Sequence, residues 1–245
     1  MEQTVDGLGK LVEGINSVEA ALLSNRANEI IFLSRKNKSQ RFNDLIETAQ
    51  RKKLKIREVK NKKEWKYNDR HSIVALCKPL KIYKESDMPQ FKESNFIICD
   101  HIQDTNNLGA IVRSAAAFGF DILAIPSKRS VKLSEKVFSI SSGGLEKVNI
   151  LMYNSIFSLI KKLSSLDIWT IGLDMGGNTR INDVDFNQQN VALFLGSEDK
   201  GMSQEVKKKL DVISKIKMLD NTESLNVSVA AAVAMHEIFI KKKIN

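Results

Sequence analysis

The chain has 245 residues, 42% of them hydrophobic, which is enough for one large domain or two small ones with a packed core. The formal net charge of +9 favours a polyanionic partner such as a nucleic acid, although lysine also serves simply to keep a surface soluble. The three histidines have no ligand spacing, so we expect no metal site. The two cysteines have no CxxC spacing, and no apolar stretch reaches signal-peptide or membrane-spanning length. We therefore predict a cytoplasmic protein without a membrane partner.

Residues 1–78 contain most of the basic excess, with 17 Lys and Arg against 10 Asp and Glu. The apolar spacing in this part predicts a small α/β domain. Its predicted helices span residues 18–23 and 40–53, and its predicted strands span residues 29–33, 55–59 and 72–77.

A basic segment in this first domain mixes cations with aromatic residues. Lys52, Lys53, Lys62 and Lys63 are candidate RNA-binding residues, because cations hold phosphates and nearby aromatic rings can stack on unpaired bases. The alternative is that these lysines belong to a solvated helix end and that Trp65 packs into the core. Both interpretations remain open from the residues alone.

Residues 79–93 are predicted to be a linker, because they carry two of the three prolines, balanced charge and no strong periodicity. Residues 94–245 then alternate strands with helices. Such apolar strands are typical of a parallel sheet covered by helices on both faces, so we predict an α/β domain. The predicted strands span residues 96–99, 121–125, 148–151, 168–173, 191–195 and 213–218, and the predicted helices span 108–118, 134–141, 155–164, 204–209 and 227–241.

Polar groups and small residues follow three of these strands. Asn107 is predicted to cap the helix that begins near it, and Arg113 follows six residues later among glycine and alanine. An arginine among so many small residues has no obvious local partner, but from the residues alone a functional role and a capped packing helix both remain open. Parallel sheets bind ligands at the carboxyl ends of their strands, where this segment lies.

The second segment follows the most apolar predicted strand, which ends at Leu195. Gly196 and Gly201 bracket Glu198, and glycine permits positive φ or close backbone approach. In the third segment, Ser224 and Asn226 precede the last predicted helix. From the residues alone, the second segment is either a ligand-binding loop or an ordinary turn, and the third is either a ligand-binding loop or the cap of a packing helix.

The three segments together resemble the SpoU (TrmH) family of RNA 2′-O-ribose methyltransferases. The family patterns N-x-G-x-x-x-R, G-x-E-x-x-G and S-L-N-x-S-x-A occur in order at residues 107–113, 196–201 and 224–230. The resemblance implies a SPOUT fold with a trefoil knot, which composition and spacing alone do not predict. It also implies that the cofactor is S-adenosyl-L-methionine, bound by Leu195, Gly196, Gly201, Ile216, Met218, Leu225 and Asn226.

The same resemblance implies catalytic roles. Arg113 matches the catalytic arginine, with Asn107 and Glu198 orienting it and with Ser224 and Asn226 positioning the ribose or the cofactor. Arg113 is either the base for the ribose 2′-hydroxyl, a ligand for the phosphate that accepts the proton, or a stabiliser of alkoxide charge.

The first domain is similar, more weakly, to the ribosomal-protein-like RNA-binding domain of the bacterial 23S rRNA guanosine methyltransferase (RlmB) branch. Residues 14–22 resemble the opening of that domain, except that Asn16 and Ala20 depart from the branch pattern. Residues 73–75 resemble one of its strands, but residues 70–72 before the strand do not match. The resemblance implies a homodimer that methylates a guanosine of 23S rRNA. One alternative is a tRNA or another rRNA nucleotide, and the other is a non-catalytic RNA-binding ribosome assembly factor.

Overall fold

The computed structural model describes residues 8–34, 39–128, 133–186, 189–198, 200–219 and 224–244. In the first part of the chain, a four-stranded sheet has the order β1-β4-β2-β3, with β2 and β3 parallel and the other pairs antiparallel. Its elements are β1 (Leu11–Glu13), α1 (Ile15–Leu23), β2 (Ala27–Leu33), α2 (Gln40–Arg51), β3 (Lys55–Val59) and β4 (Ile73–Cys77).

The rest of the described chain forms an eight-stranded sheet in which every pairing is parallel, with the order β10-β12-β9-β11-β6-β7-β8-β5. Its strands are β5 (Ile82–Lys84), β6 (Phe96–Cys99), β7 (Ile122–Pro126), β8 (Asn149–Tyr153), β9 (Trp169–Leu173), β10 (Thr179–Arg180), β11 (Val191–Leu195) and β12 (Val212–Lys215). Its helices are α3 (Thr105–Phe118), α4 (Glu135–Ser141), α5 (Ile156–Ser165), α6 (Gln204–Lys207) and α7 (Val227–Ile244).

The central strands β6, β7 and β11 are buried along their entire lengths. Such strands have no polar face, because helices cover both sides of a parallel sheet. The predicted α/β class with a parallel sheet in residues 94–245 is confirmed.

Cys77 and Cys99 are both buried free thiols, and burial raises the pKa of Cys77 to about 11. No helix within the described ranges is long and apolar enough to cross a membrane.

The helix α3 begins earlier than its apolar pattern predicts. Asp104 is the N-cap, and its Oδ1 accepts a hydrogen bond from the Asn106 amide at 2.9 Å. Asn107 is therefore the third residue of the helix rather than its cap, which leaves its side chain free to act elsewhere. The helix ends at Gly119, whose φ of 72° is the left-handed conformation of a helix C-terminus.

The predicted linker is corrected by the structure over residues 82–91. Strand β5 pairs in parallel with β8 at the edge of the large sheet, and a 3-10 helix follows at Glu85–Phe91. Met88 and Phe91 are buried, so this segment is anchored by hydrophobic contacts that its short, irregular pattern did not reveal.

The last strand, β12, ends at Lys215, three residues before the predicted end.

The two parts of the chain pack against each other and share one hydrophobic cluster, which includes Val12 of β1 and Val18 of α1 from the first part and Ile97 of β6 and Leu193 of β11 from the second. A Cβ on Gly143 would lie 2.8 Å from the Cβ of Ala20, which leaves no space for a larger residue there.

A buried ion pair joins the same two parts. Arg26 Nε and Nη2 donate to Glu146 Oε2 and Oε1 at 2.8 and 2.5 Å, and the Glu146 side chain is only 1% exposed. A bidentate pair of this kind fixes orientation as well as distance. The two parts are therefore held in a defined arrangement.

Candidate active site

A cavity of about 610 Å³ lies where the carboxyl ends of β9, β11 and β12 meet the segment that enters α7. This is the edge at which open parallel sheets bind their ligands. Every residue predicted to contact the cofactor lines it: Leu195, Gly196, Gly201, Ile216, Met218, Leu225 and Asn226.

The turn after β11 forms one wall of this cavity. Ser197 and Gly201 exchange backbone hydrogen bonds of 3.2 and 2.9 Å, and Gly201 has a φ of 62°. A Cβ on Gly196 would lie 2.2 Å from the carbonyl carbon of Gly201, so only glycine fits there. Asp199, inside this turn, lies outside the described residues. Glu198, in the same turn, is exposed and lines the cavity.

Asn107 joins the three motifs. Its Nδ2 donates to Glu198 Oε1 at 2.7 Å, and its Oδ1 accepts from Asn226 Nδ2 at 3.0 Å. Asn226 Oδ1 in turn accepts from the Ser228 amide and hydroxyl at 2.9 and 2.6 Å. Residues separated by 91 and 119 positions therefore meet in one hydrogen-bonded chain. Ser224 lines the same cavity.

Arg113 does not line this cavity. Six residues along a helix correspond to a rotation of roughly 600°, so Arg113 and Asn107 project from different faces of α3. The exposed Arg113 side chain lines a separate cavity of about 340 Å³, together with Arg41 and Lys147. Within the described part of the chain, its guanidinium has no hydrogen-bond or ion-pair partner. The structure thus brings four of the five predicted catalytic residues together and leaves Arg113 apart.

The sequence interpretation missed Asp174, which follows β9 and lines the 610 Å³ cavity beside the turn after β11. Its Oδ2 pairs with Lys207 Nζ at 2.6 Å, and its Oδ1 accepts from the Gly176 amide at 2.9 Å. The available signal was the acidic residue immediately after a buried strand. That signal gains meaning only once β9 is seen to lie beside β11.

The four predicted RNA-binding lysines are all exposed on the first domain. Lys52 and Lys53 follow α2, and Lys62 and Lys63 lie in a 3-10 helix after β3. Trp65 is buried against Ile31, Val59 and Val74, so it belongs to the core and is not available to stack on a base.

Two sequence families match the chain. The SpoU rRNA Methylase family matches residues 94–236, which is more than half of the chain. The family described as RNA 2′-O ribose methyltransferase substrate binding matches residues 11–83. The first match contains the 610 Å³ cavity, and the second contains the four-stranded sheet.

Similar proteins support the same family. A TrmH family tRNA/rRNA methyltransferase by name, from Staphylococcus haemolyticus, is 31% identical over 242 residues, covering 95% of this chain and 96% of the relative. A similarly named protein of Staphylococcus aureus is 32% identical over 252 residues, covering 99% and 98%.

Solved structures share the fold. The SpoU methyltransferase AviRb of Streptomyces viridochromogenes, solved in complex with AdoMet, has a TM-score of 0.77 and 19% identity, over 96% of this chain and 91% of AviRb. An rRNA methyltransferase of Sinorhizobium meliloti has a TM-score of 0.74 and 16% identity, over 95% and 87% of the two chains. From its sequence matches and its fold, the chain belongs to the SpoU (TrmH) family of RNA methyltransferases.

Proposed function

We propose that this protein transfers a methyl group from S-adenosylmethionine (AdoMet) to the 2′-hydroxyl of an RNA ribose, on a guanosine of 23S rRNA. The observation that carries the proposal is the hydrogen-bonded chain Glu198–Asn107–Asn226 at the rim of the 610 Å³ cavity. A hydrogen-bond network that links three separate motifs at a cavity edge holds polar groups still where a ribose must be positioned.

The cavity residues fit the cofactor. The volume of the cavity lies within the roughly 300–1,000 Å³ typical of small-molecule sites. Leu195, Ile216, Met218 and Leu225 supply apolar surface for an adenine ring, and the close turn at Gly196 brings backbone amides to the wall. When bound, AdoMet supplies a methyl group on a sulfonium with a good leaving group, so the transfer requires no additional activation of the carbon.

The chain's own residues must position the ribose and promote loss of the proton from its 2′-hydroxyl. Glu198 and Asn226 are fixed by Asn107, and Ser224 adds a hydroxyl to the same rim. An arginine is almost always protonated at neutral pH, so Arg113 acts best as a cation. In that role it holds the RNA phosphate that accepts the 2′-hydroxyl proton, or it stabilises the negative charge that develops on the 2′-oxygen as the proton passes to water.

Because Arg113 projects away from the cavity of its own chain, we propose that a second copy supplies it. The exposed Val229 and Val233, four residues apart on α7, offer an apolar stripe for such a contact. The protein then acts as a homodimer with its sites near the interface. We also propose that residues 94–245 form the trefoil knot of the family.

The assignment to rRNA and to the 23S rRNA guanosine (RlmB) branch rests on the first domain, where the net basic charge and the matched substrate-binding family coincide. A tRNA substrate is the second candidate, favoured by the names of the Staphylococcus relatives, which mention both RNAs. A non-catalytic assembly factor is disfavoured, because such a protein has no use for a precise polar network at the cavity rim.

The decisive experiment measures both binding and transfer. Calorimetry should show AdoMet binding to the purified protein, and labelled AdoMet with total RNA should label rRNA, with the nucleotide then mapped. Arg113→Ala should lower turnover by at least about 100-fold and leave AdoMet affinity unchanged, because Arg113 does not line the cofactor cavity of its own chain and, from a second copy, would act on the RNA. No heat with AdoMet, or undiminished turnover in the variant, would contradict the proposal.

Supply of Arg113 by a second copy has its own test. Arg113→Ala and Asn226→Ala proteins, each inactive alone, should recover about a quarter of wild-type activity when equal amounts are unfolded and refolded together. Half of the random dimers are mixed, and each mixed dimer regains one intact site of two. If the arginine acted within its own chain, the mixture would stay inactive.

A further inference from the structure

A second cavity, of about 950 Å³, lies on the other side of the turn after β11. Ser197, Glu198, Lys200 and Gly201 line both this cavity and the proposed cofactor cavity. The second cavity is formed at the carboxyl ends of β6, β7 and β8, which follow β11 in the sheet order. One sheet edge therefore carries two adjoining cavities with a thin wall between them, and Glu198 belongs to that wall.

The walls of the second cavity combine apolar and polar surface. Pro126, Ile156 and Phe157 are apolar, and the Phe157 side chain is 48% exposed although it is a large aromatic. An exposed aromatic beside polar groups is the arrangement with which proteins stack on unpaired bases. The polar lining includes Asn154 and His101.

The polar groups are held in defined orientations. Asn154 Oδ1 accepts from Ser127 Oγ at 2.7 Å, so its Nδ2 group remains available to donate. His101 Nδ1 lies 2.7 Å from Asp100 Oδ1, a contact that orients the imidazole and leaves Nε2 as its second polar group. An amide donor and an imidazole nitrogen at a cavity edge can pair with the polar groups on the edge of a nucleobase.

A buried tyrosine supports this arrangement from below. Tyr153 is 2% exposed, and its hydroxyl donates to Asp100 Oδ1 at 3.2 Å. Burial and the neighbouring Asp100 carboxylate raise the pKa of Tyr153 well above its usual range, so the hydroxyl keeps its proton. Asp100 therefore remains the acceptor that orients the imidazole of His101.

We propose that the 950 Å³ cavity holds the unpaired base of the nucleotide that is methylated, stacked on Phe157 and read at its edge by Asn154 and His101. The inference rests on the proposed function, and it extends that function by giving the target base a site. A ribose attached to a base in this cavity lies beside Glu198, at the wall shared with the cofactor cavity. The nucleotide must leave its base stack to enter, as in other enzymes that act on extruded nucleotides.

The test compares three substitutions of one exposed residue in the full-length protein, using an RNA that carries the mapped target nucleotide. Phe157→Ala removes the ring, Phe157→Leu keeps apolar volume without a stacking face, and Phe157→Tyr keeps the stack. The Ala variant should lose between about 5-fold and about 150-fold in kcat/KM for RNA, the range expected from one base–aromatic contact. The Leu variant should show most of that loss, and the Tyr variant should stay within about 3-fold of the wild type.

An RNA with an abasic ribose at the target position makes the test specific. If Phe157 contacts the target base, the kcat/KM of the wild-type protein on abasic RNA should fall at least as far as that of Phe157→Ala on intact RNA, because abasic RNA also loses the contacts to Asn154 and His101. Phe157→Ala should then cost little more on abasic RNA. Fully additive losses would place Phe157 on a different part of the RNA and overturn the proposal.

A further pair of variants tests the reading of the base edge. Asn154→Ala and His101→Ala should reduce the preference for the natural target base over the three substituted bases by about 10-fold each. Unchanged preference in both would overturn the assignment of the edge.

The controls separate this inference from the proposed function. Phe157 does not line the 610 Å³ cavity, so AdoMet affinity by calorimetry should be unchanged in every Phe157 variant. A wild-type protein that neither binds AdoMet nor methylates RNA refutes the proposed function itself. A wild-type protein that does both, with unchanged kcat/KM in Phe157→Ala, refutes only the base site.

Discussion

Asn107 is the residue on which the candidate site depends most. It is the only one of the predicted catalytic residues whose amide bonds to two others, with one end on Glu198 and the other on Asn226, within the part of the chain that the structure describes. An amide is suited to this place because it offers a donor and an acceptor at once. A carboxylate at position 107 offers no donor to Glu198.

Substitutions of Asn107 should therefore rank in a particular order. Asn107→Ala loses both hydrogen bonds, and we expect kcat to fall by about 10- to 100-fold with little change in melting temperature, because the site is open to solvent. Asn107→Asp should be worse, since it places a second carboxylate beside Glu198. Single-turnover methyl transfer with saturating AdoMet measures this ranking. If Asn107→Asp matched the wild type, the donor role of the amide would be disproved.

At the scale of elements, the turn between β11 and α6 separates the two cavities and depends on glycine. Residues 197 and 201 exchange backbone hydrogen bonds, and the two chain segments approach so closely that position 196 has no room for a Cβ. The turn is thus a wall whose thickness is set by the backbone itself. A thin wall allows a group in one cavity to reach a group in the other.

Gly196→Ala should break this wall. The added Cβ would lie 2.2 Å from the Gly201 carbonyl carbon, so the turn must open, and we expect AdoMet affinity to fall by at least about 10-fold with a loss of about 1–3 kcal/mol in stability. Calorimetry and thermal melting measure the two effects. Gly176→Ala is the matched control for stability, because its added Cβ would meet only the Asp174 side chain, at 3.2 Å, and no backbone atom. Equal losses in the two variants would show that the close approach at Gly196 is unimportant.

At the scale of the whole molecule, the first domain and the parallel-sheet domain pack against each other, and their charge is uneven. The Arg26–Glu146 pair and the shared hydrophobic cluster hold the domains together. Residues 1–78 have seven more basic than acidic residues, whereas residues 94–245 have only two more. We therefore expect RNA bound by the first domain to be presented at a defined position relative to the two cavities.

Removing Lys52, Lys53, Lys62 and Lys63 together, as alanines, should weaken RNA binding and flatten its dependence on salt. Each lysine that no longer neutralises a phosphate lowers the slope of log K against log salt by roughly 0.7–0.9 in magnitude. RNA affinity measured at several salt concentrations gives the slope. The matched control replaces four exposed lysines of the other domain and should leave the slope near that of the wild type: Lys92, Lys161, Lys208 and Lys209. A slope that changed equally in both variants would place RNA binding elsewhere.

Local information in the sequence determined the elements and the candidate residues. Strands β3, β6 and β11 begin and end at the predicted residues, because runs of apolar and alternating residues leave little choice of backbone structure. Capping misled the prediction at α3, since several polar residues near Asn107 can cap and Asp104 does so. The predicted linker became β5 and a 3-10 helix, because a three-residue edge strand has too few residues for a periodic signal.

Only the tertiary structure decided how the motifs are shared between sites. The parallel order of β9, β11 and β12 brings Asp174 to the cavity, and no spacing along the chain predicts that neighbour. The same packing joins Asn107 to Glu198 and Asn226 while the rotation of α3 turns Arg113 toward the first domain. The physical reason is that a sequence pattern specifies which face of its own element a residue occupies. Which elements become neighbours depends on how all the buried faces pack together.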